Sequence, residues 1–171
     1  MREYIERISD KVLAEHLESK GAVLIEGPKW CGKTTSGKHL AKSFIEMDRP
    51  DMTEQYQQMA SLKPTALLEG EVPRLIDEWQ IAPGIWNAVR YEVDQRGEFG
   101  QFILTGSSVP PILDESMHTG TGRIVRMKMR PMSLYESKDS TGTVSLEDMF
   151  LGKDIYASDN RSIDDIAYFI C

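Results

Sequence analysis

Gly27-Pro28-Lys29-Trp30-Cys31-Gly32-Lys33-Thr34 fits the spacing G-x-x-x-x-G-K-[ST], and the residues on either side give it the right setting. Upstream, Gly21-Ala22-Val23-Leu24-Ile25-Glu26 is a short apolar, partly β-branched run that reads as a buried parallel strand. Downstream, Thr34, Thr35, Lys38, Leu40, Ala41 and Phe44 read as a helix. Between strand and helix, glycines let the backbone turn so that successive N–H groups point inward, and the helix N-terminus adds its partial positive charge. Such a loop holds an anionic phosphate. Gly27, Pro28, Lys29, Trp30, Cys31, Gly32 and Thr35 would form its walls, and Lys33 would reach the β- and γ-phosphates of a nucleoside triphosphate. The Thr34 hydroxyl would be a ligand of Mg²⁺, which prefers hard oxygen donors. The alternative is a glycine-rich strand-to-helix turn that binds nothing.

Outward from the loop, strand and helix patterns alternate. Residues 11 to 20 read as a helix with Asp10 as its N-cap and Gly21 as its stop. Ser43 to Met47 form a second strand, closed by Asp48-Arg49-Pro50, and residues 52 to 62 are polar and helix-prone. Val72-Pro73-Arg74-Leu75-Ile76-Asp77-Glu78-Trp79-Gln80 is an apolar strand ending in paired carboxylates. Residues 82 to about 96 follow as an amphipathic helix, with Pro83 near its first turn, Ile85, Val89 and Val93 spaced by four, and Gly97 beyond its end. Gln101 to Thr105 is a further buried strand, and residues 109 to 122 have the composition of a mobile loop. The alternation implies βαβ units, right-handed crossovers and a parallel sheet covered on both faces.

Hydrolysis of a triphosphate needs a metal anchor, a group that orients or deprotonates water, a probe of the γ-phosphate and a cation for developing charge. Asp77, at a strand end, suits the metal anchor, and Glu78 beside it the base. Adjacent strand residues point to opposite faces, which divides the two roles. Read without the loop, the pair would be a strand-end cap and a surface acid. Thr105, Ser107 or Ser108 would contact the γ-phosphate or the water, unless these hydroxyls merely form the turn. Arg123 is a candidate for charge stabilisation, in cis or across the interface of a homo-oligomer, against the reading of a surface arginine on a strand. Trp30 reads as packing on the domain rather than stacking on a base. Cys31, near a helix N-terminus and Lys33, would have an activated thiol open to oxidation.

Composition narrows the class. With 171 residues, 40% hydrophobic and 27% charged, the chain suits one soluble domain, and a net charge of −7 argues against a broad grip on nucleic acid. The local basic run from Arg123 to Arg130 would place Arg126, Lys128 and Arg130 on one solvated strand face, with Val125, Met127 and Met129 opposite. Cys31 and Cys171 form no disulfide framework, and His16, His39 and His118 no zinc spacing. No signal-peptide pattern or apolar run of membrane-spanning length is present, so a cytoplasmic protein is expected. Ser162, Ile163, Ile166, Ala167 and Ile170 begin an apolar helix that stops at Cys171, from which a chain cut short is expected.

Taken together, the loop 27–35, Leu75-Ile76-Asp77-Glu78-Trp79-Gln80, Ile103 to Ser108, and Gly122-Arg123 before Arg130-Pro131-Met132-Ser133-Leu134-Tyr135-Glu136 resemble the prokaryotic AAA-like P-loop ATPases that carry an uncharacterised C-terminal domain. The resemblance implies a three-layer α/β P-loop NTPase fold with a mostly parallel sheet, of the additional-strand catalytic-glutamate type. Asp77-Glu78 would then be the Walker B motif, and the strand ending at Thr105 to Ser108 would lie between the loop strand and the Walker B strand. It also implies an ATPase domain over residues 1–150, the start of a C-terminal region over 151–171, and ATP with Mg²⁺ as cofactors. A slow ATPase coupled to a partner or to the C-terminal domain is the leading expectation. A nucleotide-dependent switch with negligible turnover and a small-molecule kinase are the alternatives; a GTPase is disfavoured by the absence of N-K-x-D.

Overall fold

The computed structural model describes residues 3–107, 120–156, 162–164 and 167. By packing, the chain falls into two compact units, residues 1–133 and residues 134–171. In the first, α1 (Ile8–Ser19) leads to β1 (Ala22–Gly27), α2 (Lys33–Leu40), β2 (Ser43–Glu46), α3 (Thr53–Leu62), β3 (Arg74–Asp77), α4 (Gly84–Arg96), β4 (Phe102–Ser107) and β5 (Ile124–Lys128). The second contains α5 (Leu146–Phe150), whose first turn is capped by Ser145 through the Asp148 N–H.

The five strands pair in the order β2-β3-β4-β1-β5, and every pairing is parallel. The insertion of β4 between β1 and β3 is the additional-strand arrangement that the sequence implied. Strand alternation sends Ala22, Leu24, Ile76, Phe102 and Leu104 into one core with Ile85, Trp86 and Val89 of α4. Val23, Ile25, Leu75, Ile103 and Met127 enter a second core with Leu13 and Leu17 of α1. Both faces of the sheet are therefore covered, which is why the strands read as continuous apolar runs.

Two boundaries differ from expectation. Helix α1 begins at Ile8, with Arg7 at the N-cap; Asp10 stands one turn in and accepts the Arg7 backbone N–H at 2.8 Å. An acid three residues into a helix satisfies the chain before it, so Asp10 holds the N-terminal segment instead of starting the helix. Strand β3 is only four residues long, because Glu78 takes the left-handed conformation (φ 53°, ψ 45°) and turns the chain out of the sheet. The basic run behaves as expected: Met127 and Met129 are buried, whereas Arg126, Lys128 and Arg130 are exposed. The expected loop over 109–122 lies outside the described residues as far as 119, as does most of the expected helix after Ser162.

Gly27 is required by contact. A Cβ there would lie 2.3 Å from the Met129 carbonyl oxygen, a backbone atom that cannot swing away. Gly27→Ala is expected to force β1 and the end of β5 apart and to cost roughly 2 kcal/mol, measured by urea unfolding.

Candidate phosphate-binding site

Parallel strands end on one edge, and the loop, Asp77, Glu78 and Ser107 all lie there: Gly27 pairs with Ser107, and Glu46 with Asp77. Between β1 and α2 the backbone turns through two left-handed residues, Trp30 (φ 66°) and Gly32 (φ 101°). Trp30 is fully exposed, so it does not pack on the domain as expected. The loop leads directly into α2, whose first residue is Lys33. Its ammonium donates to the carbonyls of Gly27 (3.0 Å) and Pro28 (2.8 Å) and so lies over the loop.

Thr34, one residue further, meets the end of β3. Its hydroxyl lies 2.8 and 3.1 Å from the two carboxylate oxygens of Asp77. Thr105 donates a short hydrogen bond to the same carboxylate from β4 and accepts the Glu78 backbone N–H at 3.3 Å. Thr105 is fully buried. Its hydroxyl thus positions Asp77 and Glu78 from behind and does not face the cleft, a role that the reading of a γ-phosphate probe missed. For Ser107 only the backbone position is described, and Ser108 lies outside the described residues.

Glu78 lines a cleft of about 610 Å³ together with Lys29, Trp30, Lys33, Thr34 and Asp48. Its carboxylate receives a short hydrogen bond from the Gln80 amide. Glu78 owes this direction to its left-handed backbone, not to strand alternation. Asp48 and Gln80 were not singled out from sequence; Asp48 had a signal in its place just after a strand end.

Arg123 is at the other end of the sheet. Its carbonyl accepts the Ala22 N–H at 3.0 Å, and β1 runs on for six residues before the loop, which separates Arg123 from the phosphate loop by roughly 20 Å. It does not reach the site within one chain. Its guanidinium pairs with Asp94 at 2.7 Å on an exposed surface. Cys31 is buried in the second core, so its thiol is shielded from oxidants rather than presented to them.

Burial pushes the Asp77 carboxyl above its ordinary range; the Thr105 and Thr34 hydroxyls pull it back, and the like charges of Glu78 and Asp48 raise it further. The Thr34 hydroxyl and the Asp77 carboxylate are hard-oxygen donors suited to Mg²⁺, whose charge would offset the cost of burying the ionised form.

The strand order, the loop and the acid pair define a P-loop NTPase fold of the additional-strand class. Residues 19–138 match the model of the family described as AAA domain, and the chain belongs to that family of nucleotide-binding, ATPase-like modules. No curated protein matches the chain. Among solved structures, "Structure of C. elegans PCH-2" is similar at 19% identity and a TM-score of 0.43, over 84% of this chain and 43% of that one. The chain thus spans less than half the length of that protein. Among the described residues, no helix is long and apolar enough to cross a membrane.

Because the folded value of Asp77 lies above the unfolded one, the native state binds the proton more tightly, and stability falls as pH rises through that raised range. Above that range the ionised carboxylate is a net cost to the fold. Asp77→Asn is therefore expected to melt higher than the parent above that raised range, with the gap closing as pH drops toward the ordinary carboxylate range, measured by calorimetry.

Proposed function

We propose that this chain binds ATP with Mg²⁺ and hydrolyses it slowly, coupling turnover to a partner or to a C-terminal domain beyond these residues. The observation that carries this reading is the Thr34–Asp77 contact, a helix-start hydroxyl bonded to a buried strand-end carboxylate beside Lys33. Thr34 and Asp77 would hold the metal, Asp77 directly or through water, and the bound metal would neutralise charge on the β- and γ-oxygens. The loop N–H groups would cradle the phosphates, and Lys33 would leave its two carbonyls to pair with them. Glu78 would orient or deprotonate the attacking water, with Gln80 holding its carboxylate. Thr105 would keep both acids in place.

A hollow of about 550 Å³ beside the loop, lined by Tyr4, Ile5, Ser36, His39 and Met132, shares Trp30, Gly32 and Thr35 with the cleft. Its largely apolar wall suits a nucleoside adjoining the phosphates. Arg123 would act in trans within a homo-oligomer. Its pair with Asp94 is solvent-exposed and so weak enough to exchange for a neighbour's phosphate.

A second reading, a nucleotide-dependent switch with negligible turnover, is favoured by the Gln80 amide, which occupies the carboxylate that would otherwise take the proton of water. Phosphate release separates the two. For an ATPase, Lys33→Ala loses MgATP binding by at least about a hundredfold, whereas Glu78→Gln retains binding and loses turnover by about a hundredfold or more. A parent that retains ATP without releasing phosphate, unchanged in Glu78→Gln, supports the switch. If Arg123 acts in trans, Arg123→Ala and Glu78→Gln chains are each inactive alone and regain phosphate release when mixed; no recovery on mixing excludes that role.

A further inference from the structure

The residues before α1 reach the back of the phosphate loop. Arg7 is nearly buried, at 8% exposure, although it precedes the first helix of an exposed N-terminal region. Its Nη1 donates to the Cys31 carbonyl at 2.8 Å, and its Nη2 to the Arg130 carbonyl at 3.0 Å, just beyond β5. The backbone N–H of Arg7 is held by Asp10 at 2.8 Å, and the same carboxylate oxygen accepts the Tyr4 hydroxyl at 2.6 Å. Tyr4 in turn lies 3.0 Å from the Ser36 hydroxyl and stacks on His39 with ring centres 3.9 Å apart. One short segment thus grips the loop, the end of β5 and helix α2.

Geometry gives the grip on Cys31 a direction. The Cys31 C=O and the Gly32 N–H belong to one planar trans peptide and point opposite ways. A guanidinium that fixes the carbonyl on one side therefore aims the Gly32 N–H to the other. Gly32 also has no room for a side chain: a Cβ would sit 2.9 Å from Arg7 Nη1, on a residue already at φ 101°.

We propose that Arg7 is a positioning residue for phosphate recognition, orienting the Cys31–Gly32 peptide and tying the loop to the end of β5. This rests on the reading of the loop as a triphosphate site. Arg7 also borders the hollow beside the loop, but its guanidinium bonds go to the loop and to the end of β5, so its loss weakens ATP and bare tripolyphosphate alike. Lys in its place keeps the charge but cannot span two carbonyls in a planar fork.

The test is calorimetric binding of MgATP and of magnesium tripolyphosphate to the full chain, as parent, Arg7→Gln, Arg7→Lys and Lys33→Ala, with melting curves of each. Expected is a loss of about tenfold or more for both ligands in Arg7→Gln, partial recovery in Arg7→Lys, and a KM that rises while kcat stays near the parent's. Equal affinity of parent and Arg7→Gln overturns the inference while leaving the ATP reading intact; a parent that binds neither ligand overturns the ATP reading itself. Should Arg7→Gln fail to fold, hydrogen exchange on the parent decides: tripolyphosphate must slow exchange across residues 3–10 as well as 27–35, since coupling between the two is reciprocal, and protection of the loop alone overturns the proposal.

Discussion

Everything at the site depends on parallel pairing. Five strands that run the same way must finish on the same edge, and the carboxyl ends of β1, β2 and β3 bring Gly27, Glu46 and Asp77 into one row. Parallel neighbours need crossover connections, and the one that leaves β1 is α2, whose N-terminal dipole faces the same edge. An antiparallel partner for β1 would have put a carboxylate at the wrong end. The register of β4 between β1 and β3 completes the arrangement, because it sets Thr105 level with Ile25 of β1, where its hydroxyl reaches Asp77.

On that edge, charges are held at some expense to the fold. Asp77 is buried behind two hydroxyls, with Glu78 and Asp48 adding like charge, and Lys33 is turned toward backbone carbonyls. Lys33 and Asp77 thus each bond to neutral groups. Burying such charges is costly to the fold by itself. The glycines serve the same end: Gly27 lets the end of β5 approach, and Gly32 lets the loop adopt φ 101° with a guanidinium against it.

How much could be read from residues alone varies with the range of the interaction concerned. The loop, β1, β3 and β4, Asp77 and the helix from Gly84 to Arg96 are local patterns and were recoverable. Glu78 was readable as lying at the end of β3, but its left-handed backbone, not strand alternation, sets its direction. Asp10, read as an N-cap, is a capping residue from inside the first turn, and the distinction rests on where Arg7 goes. The side-chain contacts of Arg7 and Thr105 were not readable, because their partners lie 24 and 27 residues or more away in sequence. Arg123 looked close to the site because it follows a loop; the parallel register of β5 puts it at the far end of the sheet.

The sequence by itself determined that a phosphate loop sits between a strand and a helix, because glycine spacing, a lysine and a hydroxyl act through the backbone within eight residues. It also determined the parallel sheet, because doubly covered strands must be apolar on both faces. Tertiary structure alone decided which polar groups meet: Thr34 and Thr105 on Asp77, Gln80 on Glu78, Arg7 behind Cys31, and Arg123 away from them all. Those contacts depend on strand order and on single backbone angles, and neither is encoded in any local pattern of residue types.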